Sequence, residues 1–201
     1  FSKSGVRYTL PNPTGVPQPG RKVIFMAGAP GAGKSTVIKG LDLLNQGFKI
    51  VNQDIALERL MKESGLPADM REMTSEQLSK FGKLGHEARK LAGEKRMQYK
   101  GKGQGMIIDG TGASLNVMKK TVQEFREAGY DAQMVFVETT METAVARNAA
   151  RPERSLRTGI VKGTWEKVIA NKEAYREMFG ERFAEIKTDN IKYGDVMPPE
   201  L

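Results

Sequence analysis

The chain has 201 residues, 39% of them hydrophobic, with 32 Lys and Arg against 24 Asp and Glu for a net charge of +8. That length supports one sizeable core, and the absence of cysteine excludes a disulfide framework, a thiolate metal site and a thiol nucleophile, as fits a reducing cytoplasm. No apolar run approaches the roughly 20 residues a membrane span requires and no secretory signal opens the chain. The positive balance favours anionic partners such as nucleotides, nucleic acid or phosphorylated metabolites, although no basic stripe with interleaved aromatics is present.

Residues 1–20 carry Pro11, Pro13, Pro17 and Pro19 with Gly15 and Gly20, a composition expected of a leader or linker. Residues 21–188 are expected to form one domain, with a tail over 189–201. Lys22 to Ala27 is a short apolar run ending at glycine, which reads as a strand buried on both faces. A helix is predicted from Lys34 to about Asn45, and a β-rich run from Phe48 to Asn52 leads to Asp54. From Ile55 to Lys100 the signals are helical, with Thr74 and Gln77 spaced as a capping box, so a helical insert is predicted there. Met106 to Asp109 reads as a third strand, followed by helical spacing from Leu115 to Gly129. Met134 to Val137 reads as a fourth strand, Thr139 and Glu142 as a second capping box, and Ala150 as the end of a helix before Pro152. A long helix over Thr164–Phe179 and a strand over Phe183–Lys187 complete the pattern. Strands alternating with helices predict a three-layer α/β fold with a mostly parallel, five-stranded sheet.

Gly28-Ala29-Pro30-Gly31-Ala32-Gly33-Lys34-Ser35 matches the full phosphate-loop pattern, after a predicted strand and before a predicted helix. Its backbone N–H groups can cradle the phosphates of ATP, aided by the helix N-terminus. Lys34 then reaches the β- and γ-phosphates, Ser35 places its hydroxyl on Mg²⁺, and Thr36 follows in the helix. The bland alternative is a glycine-rich connecting turn. Asp109 closes a strand beside this loop, where a carboxylate can hold Mg²⁺, unless it only starts the Gly110-Thr111-Gly112 turn. Asp54 lies at the carboxyl end of the second strand, where ligands of parallel sheets sit. It is the candidate base toward an acceptor hydroxyl, with a helix N-cap as the alternative. Arg147, Arg151, Arg154 and Arg157 crowd a helix end and the loop after it, the composition of a lid that brings guanidinium groups onto phosphate; a solvated basic face is the alternative. His86, the only histidine, is expected to be structural or on the surface. Trp165, Val168, Ile169, Met178 and Phe179 read as a core stripe.

With these segments placed, the chain resembles the zeta-toxin and polynucleotide-kinase group of P-loop kinases over roughly residues 22–187. The closest part runs from Met106 to Val137, with Ile107-Ile108-Asp109-Gly110-Thr111-Gly112, a helix and then Met134-Val135-Phe136-Val137, although the family usually carries Glu where Asp109 stands. The resemblance implies a nucleotide-kinase-like P-loop fold with ATP and Mg²⁺ as cofactors. Asp54 stands at the family's base position, and Arg147 and Arg151 in a lid that binds ATP phosphates, with Arg151 and Lys34 joining Asp54 in the catalytic set. It also implies a hydroxyl acceptor, either a UDP-N-acetyl amino sugar or a polynucleotide 5′-hydroxyl, and leaves room for an antitoxin-like protein partner. An ATPase switch and a nucleic-acid-binding module remain as rivals of other classes.

Overall fold

The computed structural model describes residues 18–191. Most of the leader expected over 1–20 and most of the tail expected over 189–201 therefore lie outside the described residues. In chain order the elements are β1 (Lys22–Ala27), α1 (Lys34–Gly40), β2 (Lys49–Asn52), α2 (Gln53–Glu63), α3 (Ser75–Gly101), β3 (Met106–Asp109), α4 (Leu115–Glu127), β4 (Asp131–Glu138), α5 (Met141–Ala149), α6 (Thr158–Ala170), α7 (Lys172–Phe179) and β5 (Phe183–Lys187). The sheet has five strands in the order β2-β3-β1-β4-β5, every pair parallel, as the alternating pattern predicts.

The run Val-Ile-Phe-Met-Ala explains why β1 sits at the centre. Val23, Phe25 and Ala27 face one layer, where they meet Val122 and Phe125 of α4, Val168 of α6 and Tyr175 and Phe179 of α7. Ile24 and Met26 face the other, against Val37 and Ile38 of α1 and Leu43. Both faces of a parallel strand must be covered because its crossovers put helices on each side, and each of these large side chains contributes about 1.5–3 kcal/mol by leaving water. The helical insert is a satellite in which α2 and α3 close on Leu57, Met61, Met73 and Ala88. Its capping box forms as expected: Gln77 N–H donates to Thr74 Oγ1 at 3.2 Å and Thr74 N–H to Gln77 Oε1 at 2.8 Å.

Four boundaries differ from expectation. α1 stops at Gly40 because Asp42, at φ 52°, turns the chain left-handed before Asn45. β4 begins at Asp131 rather than Met134, extended by its pairing with Lys22 and Val23. Thr140, not Thr139, caps α5, accepting from Thr143 N–H at 3.3 Å, while the Thr139 hydroxyl donates to Asp189 at 2.8 Å. The helix expected over Thr164–Phe179 starts at Thr158 and breaks at Asn171, whose side chain donates to the carbonyls of Gly112 and Ala113 at 3.1 and 3.2 Å. That break serves the turn after β3, as the site geometry makes clear. Among the described residues no helix is long and apolar enough to cross a membrane.

Candidate active site

The order of the sheet puts β1 beside β3; the connection leaving β1 runs toward β2 and the one leaving β3 runs the other way to β4, which opens a crevice between their carboxyl ends. Residues 28–33 line that crevice. Gly31 has φ +83°, and a Cβ added to it collides with the Ala144 carbonyl, so this turn requires glycine. Thr188, just past β5, clamps the loop from outside by donating its hydroxyl to Ala32 O at 2.6 Å. Lys34 folds over the loop, its Nζ donating to Gly28 O at 2.9 Å and Ala29 O at 3.4 Å. Gly31, Gly33, Lys34, Ser35 and Thr36 border a cleft of about 410 Å³, which Asp54, Asp109, Arg147 and Arg151 border from the other sides. Four segments far apart in sequence thus meet at one cavity.

Register explains how the carboxylates arrive. Asn52, Asp109 and Met26 stand in one row across β2, β3 and β1. Asn52 Nδ2 donates to Asp109 Oδ2 at 2.6 Å, while Asp109 Oδ1 is buried without a partner. Burial pushes the Asp109 carboxyl above the usual carboxylate range; the Lys34 charge opposes that rise and the nearby Asp54 charge adds to it. The turn role considered for Asp109 belongs to Thr111, whose Oγ1 accepts from Ala113 N–H at 3.3 Å. Tyr175 fixes the same turn, its hydroxyl donating to Gly112 O at 2.6 Å, and burial pushes its phenol up to about 12.

The capping role considered for Asp54 belongs to Asn52, whose Oδ1 accepts from Asp54 N–H at 2.7 Å. The Asp54 carboxylate is left to meet Arg154, with Oδ2 2.7 Å from Nη2. The four expected arginines divide. Arg147 borders the cleft and donates to Thr188 Oγ1 and O at 3.0 and 2.7 Å. Arg151 borders it too, held by Glu58 at 3.1 Å. Arg154, expected on phosphate, is only 6% exposed and points at Asp54 and Glu58. Arg157 is exposed at the N-terminus of α6 and does not border the cleft. The arginine loop is pinned to the insert: Ser155 N–H donates to Ala68 O, and Met70 N–H to Ser155 O, each at 3.0 Å.

His86 is exposed on α3 as expected. Val168 and Phe179 are buried with Ile169 and Met178 against them, and Trp165 donates to Thr139 O at 2.8 Å. Sequence reasoning passed over Asn52, Glu58 and Thr188. Glu58 had a usable signal, lying one helical turn after Asp54; Thr188 had none, because its partners are brought to it only by the closed sheet.

A sequence profile of the AAA domain matches residues 23–174. The chain belongs to the AAA domain family. No curated protein sequence matches it, but its fold recurs among solved structures. One is from the PezAT chromosomal toxin–antitoxin system of Streptococcus pneumoniae, at 18% identity and a TM-score of 0.58, covering 85% of this chain and 69% of the other. A second is the AvrRxo1-ORF1:-ORF2 complex with ATP, at 14% identity and 0.65, covering 84% and 55%. A third is the Pnkp1/Rnl/Hen1 RNA repair complex, at 19% identity and 0.58, covering 87% and 49%. This AAA domain thus spans about half the length of the latter two chains. The resemblance to zeta toxins and polynucleotide kinases holds in the fold, a P-loop NTPase-like, five-stranded parallel sheet between helical layers.

Proposed function

We propose that the protein is an ATP-dependent kinase that moves the γ-phosphoryl group to a hydroxyl of a small-molecule acceptor, such as a UDP-N-acetyl amino sugar. The observation that carries this reading is the meeting of a complete phosphate loop with Asp109 at the end of β3, Asp54 in the first turn of α2 and two arginines around one cleft. An ATPase switch shares the loop and the cation site and would also use a carboxylate, toward water, so the response of ATP turnover to an acceptor is what separates the two readings.

The residues present fit ATP and Mg²⁺. The phosphate loop is a cradle at Gly31 that a side chain would fill, and Asp109 Oδ1 is a buried carboxyl oxygen lacking a partner. Such an atom is costly to leave alone and suits a hard cation. Among the described residues no group of three or more His, Cys, Asp or Glu gathers as a metal site; Ser35 and Asp109 would hold Mg²⁺ together with the phosphates of ATP. Bound Mg²⁺ neutralises charge on the transferring phosphoryl group.

Lys34 exchanges its carbonyl partners for the β- and γ-phosphates. Arg147 and Arg151 supply charge to the same oxygens, Arg151 by leaving Glu58. Asp54 accepts the proton of the acceptor hydroxyl, oriented by Arg154. Arg157 reaches phosphate only if the loop shifts. The toxin–antitoxin neighbour supports an antitoxin-like protein partner, and the absence of cysteine supports a cytoplasmic site of action. A polynucleotide 5′-hydroxyl is the second acceptor reading, supported by the +8 charge and the RNA repair neighbour.

The test is ATP consumption with and without acceptor. The kinase reading predicts that UDP-N-acetylglucosamine or a 5′-hydroxyl oligonucleotide accelerates ADP release at least tenfold. A rate indifferent to both sinks it in favour of the switch.

A further inference from the structure

The turn that follows β3 joins two parts of the nucleotide cleft. It begins at Asp109, and two residues later Thr111 O accepts from Gly28 N–H, at the opening of the phosphate loop, at 2.9 Å. The next residue, Gly112, has φ +72°, and a Cβ on it would lie 2.8 Å from the Ala27 side chain, so the turn presses on the end of β1. Asp109 and the phosphate loop are therefore spaced by this one short turn.

Asn171 grips the turn from behind, and it does so at the expense of its own helix. It joins α6 to α7 in a helical conformation, φ −86° and ψ −9°, with Tyr175 N–H donating to its carbonyl at 3.0 Å. Asparagine is a poor helix former and a good N-cap, yet its side chain makes no capping bond to α7. Nδ2 donates instead to Gly112 O at 3.1 Å and to Ala113 O at 3.2 Å. Tyr175 already supplies Gly112 O with a donor, so satisfying that carbonyl does not by itself call for a second. Anchors on both sides fix where the amide sits. Before it, Trp165 Nε1 donates to Thr139 O at 2.8 Å; after it, Lys172 Nζ donates to Glu138 and Glu185 at 2.5 and 2.9 Å. Glu138 ends β4 and Glu185 lies on β5, so the sheet itself holds the α6–α7 junction in place.

We propose that Asn171 is a positioning residue for the cation site. By holding Gly112 and Ala113 it fixes the turn, and through Thr111 O and Gly28 N–H it fixes the separation of Asp109 from the phosphate loop. A cation held jointly by Ser35, Asp109 and the phosphates needs that separation constant, because Mg²⁺ demands near-ideal octahedral geometry. Residues that orient a metal's ligands without touching the metal change its affinity by about 10–100-fold when replaced. The inference rests on the ATP and Mg²⁺ part of the kinase reading and is indifferent to the acceptor.

The experiment is titration of a non-hydrolysable ATP analogue over a series of Mg²⁺ concentrations and in EDTA, with the wild type, Asn171→Leu and Asn171→Gln. Leucine is close to asparagine in size and favours the helix, but it removes the donor. In Asn171→Leu the Mg²⁺ concentration that gives half-maximal enhancement of analogue binding should rise about tenfold. Affinity for the analogue in EDTA should stay within about twofold, and Tm should not fall by more than about 3 °C. Asn171→Gln keeps the amide one methylene farther out and should lie between the other two. In the ligand-free protein, exchange of the Gly28 amide hydrogen, followed by NMR, should quicken about tenfold in Asn171→Leu. A purely structural role would instead lower Tm and weaken binding equally with and without Mg²⁺, which overturns the inference. Unchanged Mg²⁺ dependence, unchanged Gly28 exchange, or no enhancement by Mg²⁺ in the wild type overturns it as well. Should Asn171→Leu fail to fold, Asn171→Gln carries the same comparison with a smaller expected rise. A wild type that binds the analogue with the expected Mg²⁺ dependence but transfers phosphoryl groups only to water overturns the kinase reading and leaves this inference standing.

Discussion

The two walls of the nucleotide cleft hold their functional groups by different means. On the phosphate-loop wall the geometry is backbone: a glycine turn, the Thr188 hydroxyl on Ala32 O, and a lysine resting on carbonyls. On the lid wall it is side-chain charge, with Arg151 and Arg154 meeting Glu58 and Asp54 on α2. A backbone cradle keeps its shape with or without ligand, whereas ion pairs exchange partners as charge arrives. On the kinase reading proposed above, the cleft joins a fixed donor site to an arginine loop that is paired to the insert and exchanges those partners for phosphate.

The largest expected effect breaks the fixed wall's chemistry without its shape. Lys34→Ala should cost about 10³-fold in turnover with Tm unchanged, measured by coupled ADP release and thermal unfolding. Next comes the lid wall's carboxylate: Asp54→Asn should lower turnover about 10²–10³-fold while ATP affinity stays within about twofold. Undiminished turnover would leave Asp54 only its contact with Arg154.

Stability effects separate the walls further. Arg154→Met removes a buried cation from two partly exposed carboxylates, and should cost about 2 kcal/mol, or roughly 5 °C in Tm. No change in Tm would mean the pairing contributes nothing. Asp109→Asn should act the other way, abolishing turnover while stabilising the ligand-free protein by about 1 kcal/mol. The sign follows from burial, which raises the folded carboxyl above its ordinary value of 3.8. Below 3.8 both states of the wild type are protonated and the variant gains nothing; as pH rises past that value the unfolded carboxyl ionises first, so the advantage grows and is complete above the raised folded value. The smallest effect is Tyr175→Phe, which leaves Gly112 O to Asn171 and should cost about 0.5–1 kcal/mol by denaturant unfolding.

The same division decides what the sequence reveals. The fixed wall is local: eight consecutive residues, a preceding apolar run and a following helix are legible in one pass, and the strand-end position of Asp109 follows from periodicity, whereas Asp54, expected to close β2, falls in the first turn of α2 because β2 ends at Asn52. The lid wall is long-range. That Arg154 turns inward to Asp54, a hundred positions earlier in sequence, while Arg147 and Arg151 face the cleft depends on the bridge between Ser155 and Asp69, which no local pattern encodes. The break at Asn171 is long-range for a related reason: the helical pattern continues through it, and only the side chain's bonds across 58 and 59 residues to Ala113 and Gly112 decide the matter. Thr139 and Thr140 are adjacent and chemically identical, so spacing alone could not say which caps α5.

The most direct test of the account is to follow the γ-phosphoryl group itself. With γ-labelled ATP, Mg²⁺ and UDP-N-acetylglucosamine, the account predicts label on a hydroxyl of the nucleotide sugar, absent in Lys34→Ala and in Asp54→Asn. Label appearing only as free phosphate, at the same rate with or without the sugar or a 5′-hydroxyl oligonucleotide, would contradict it.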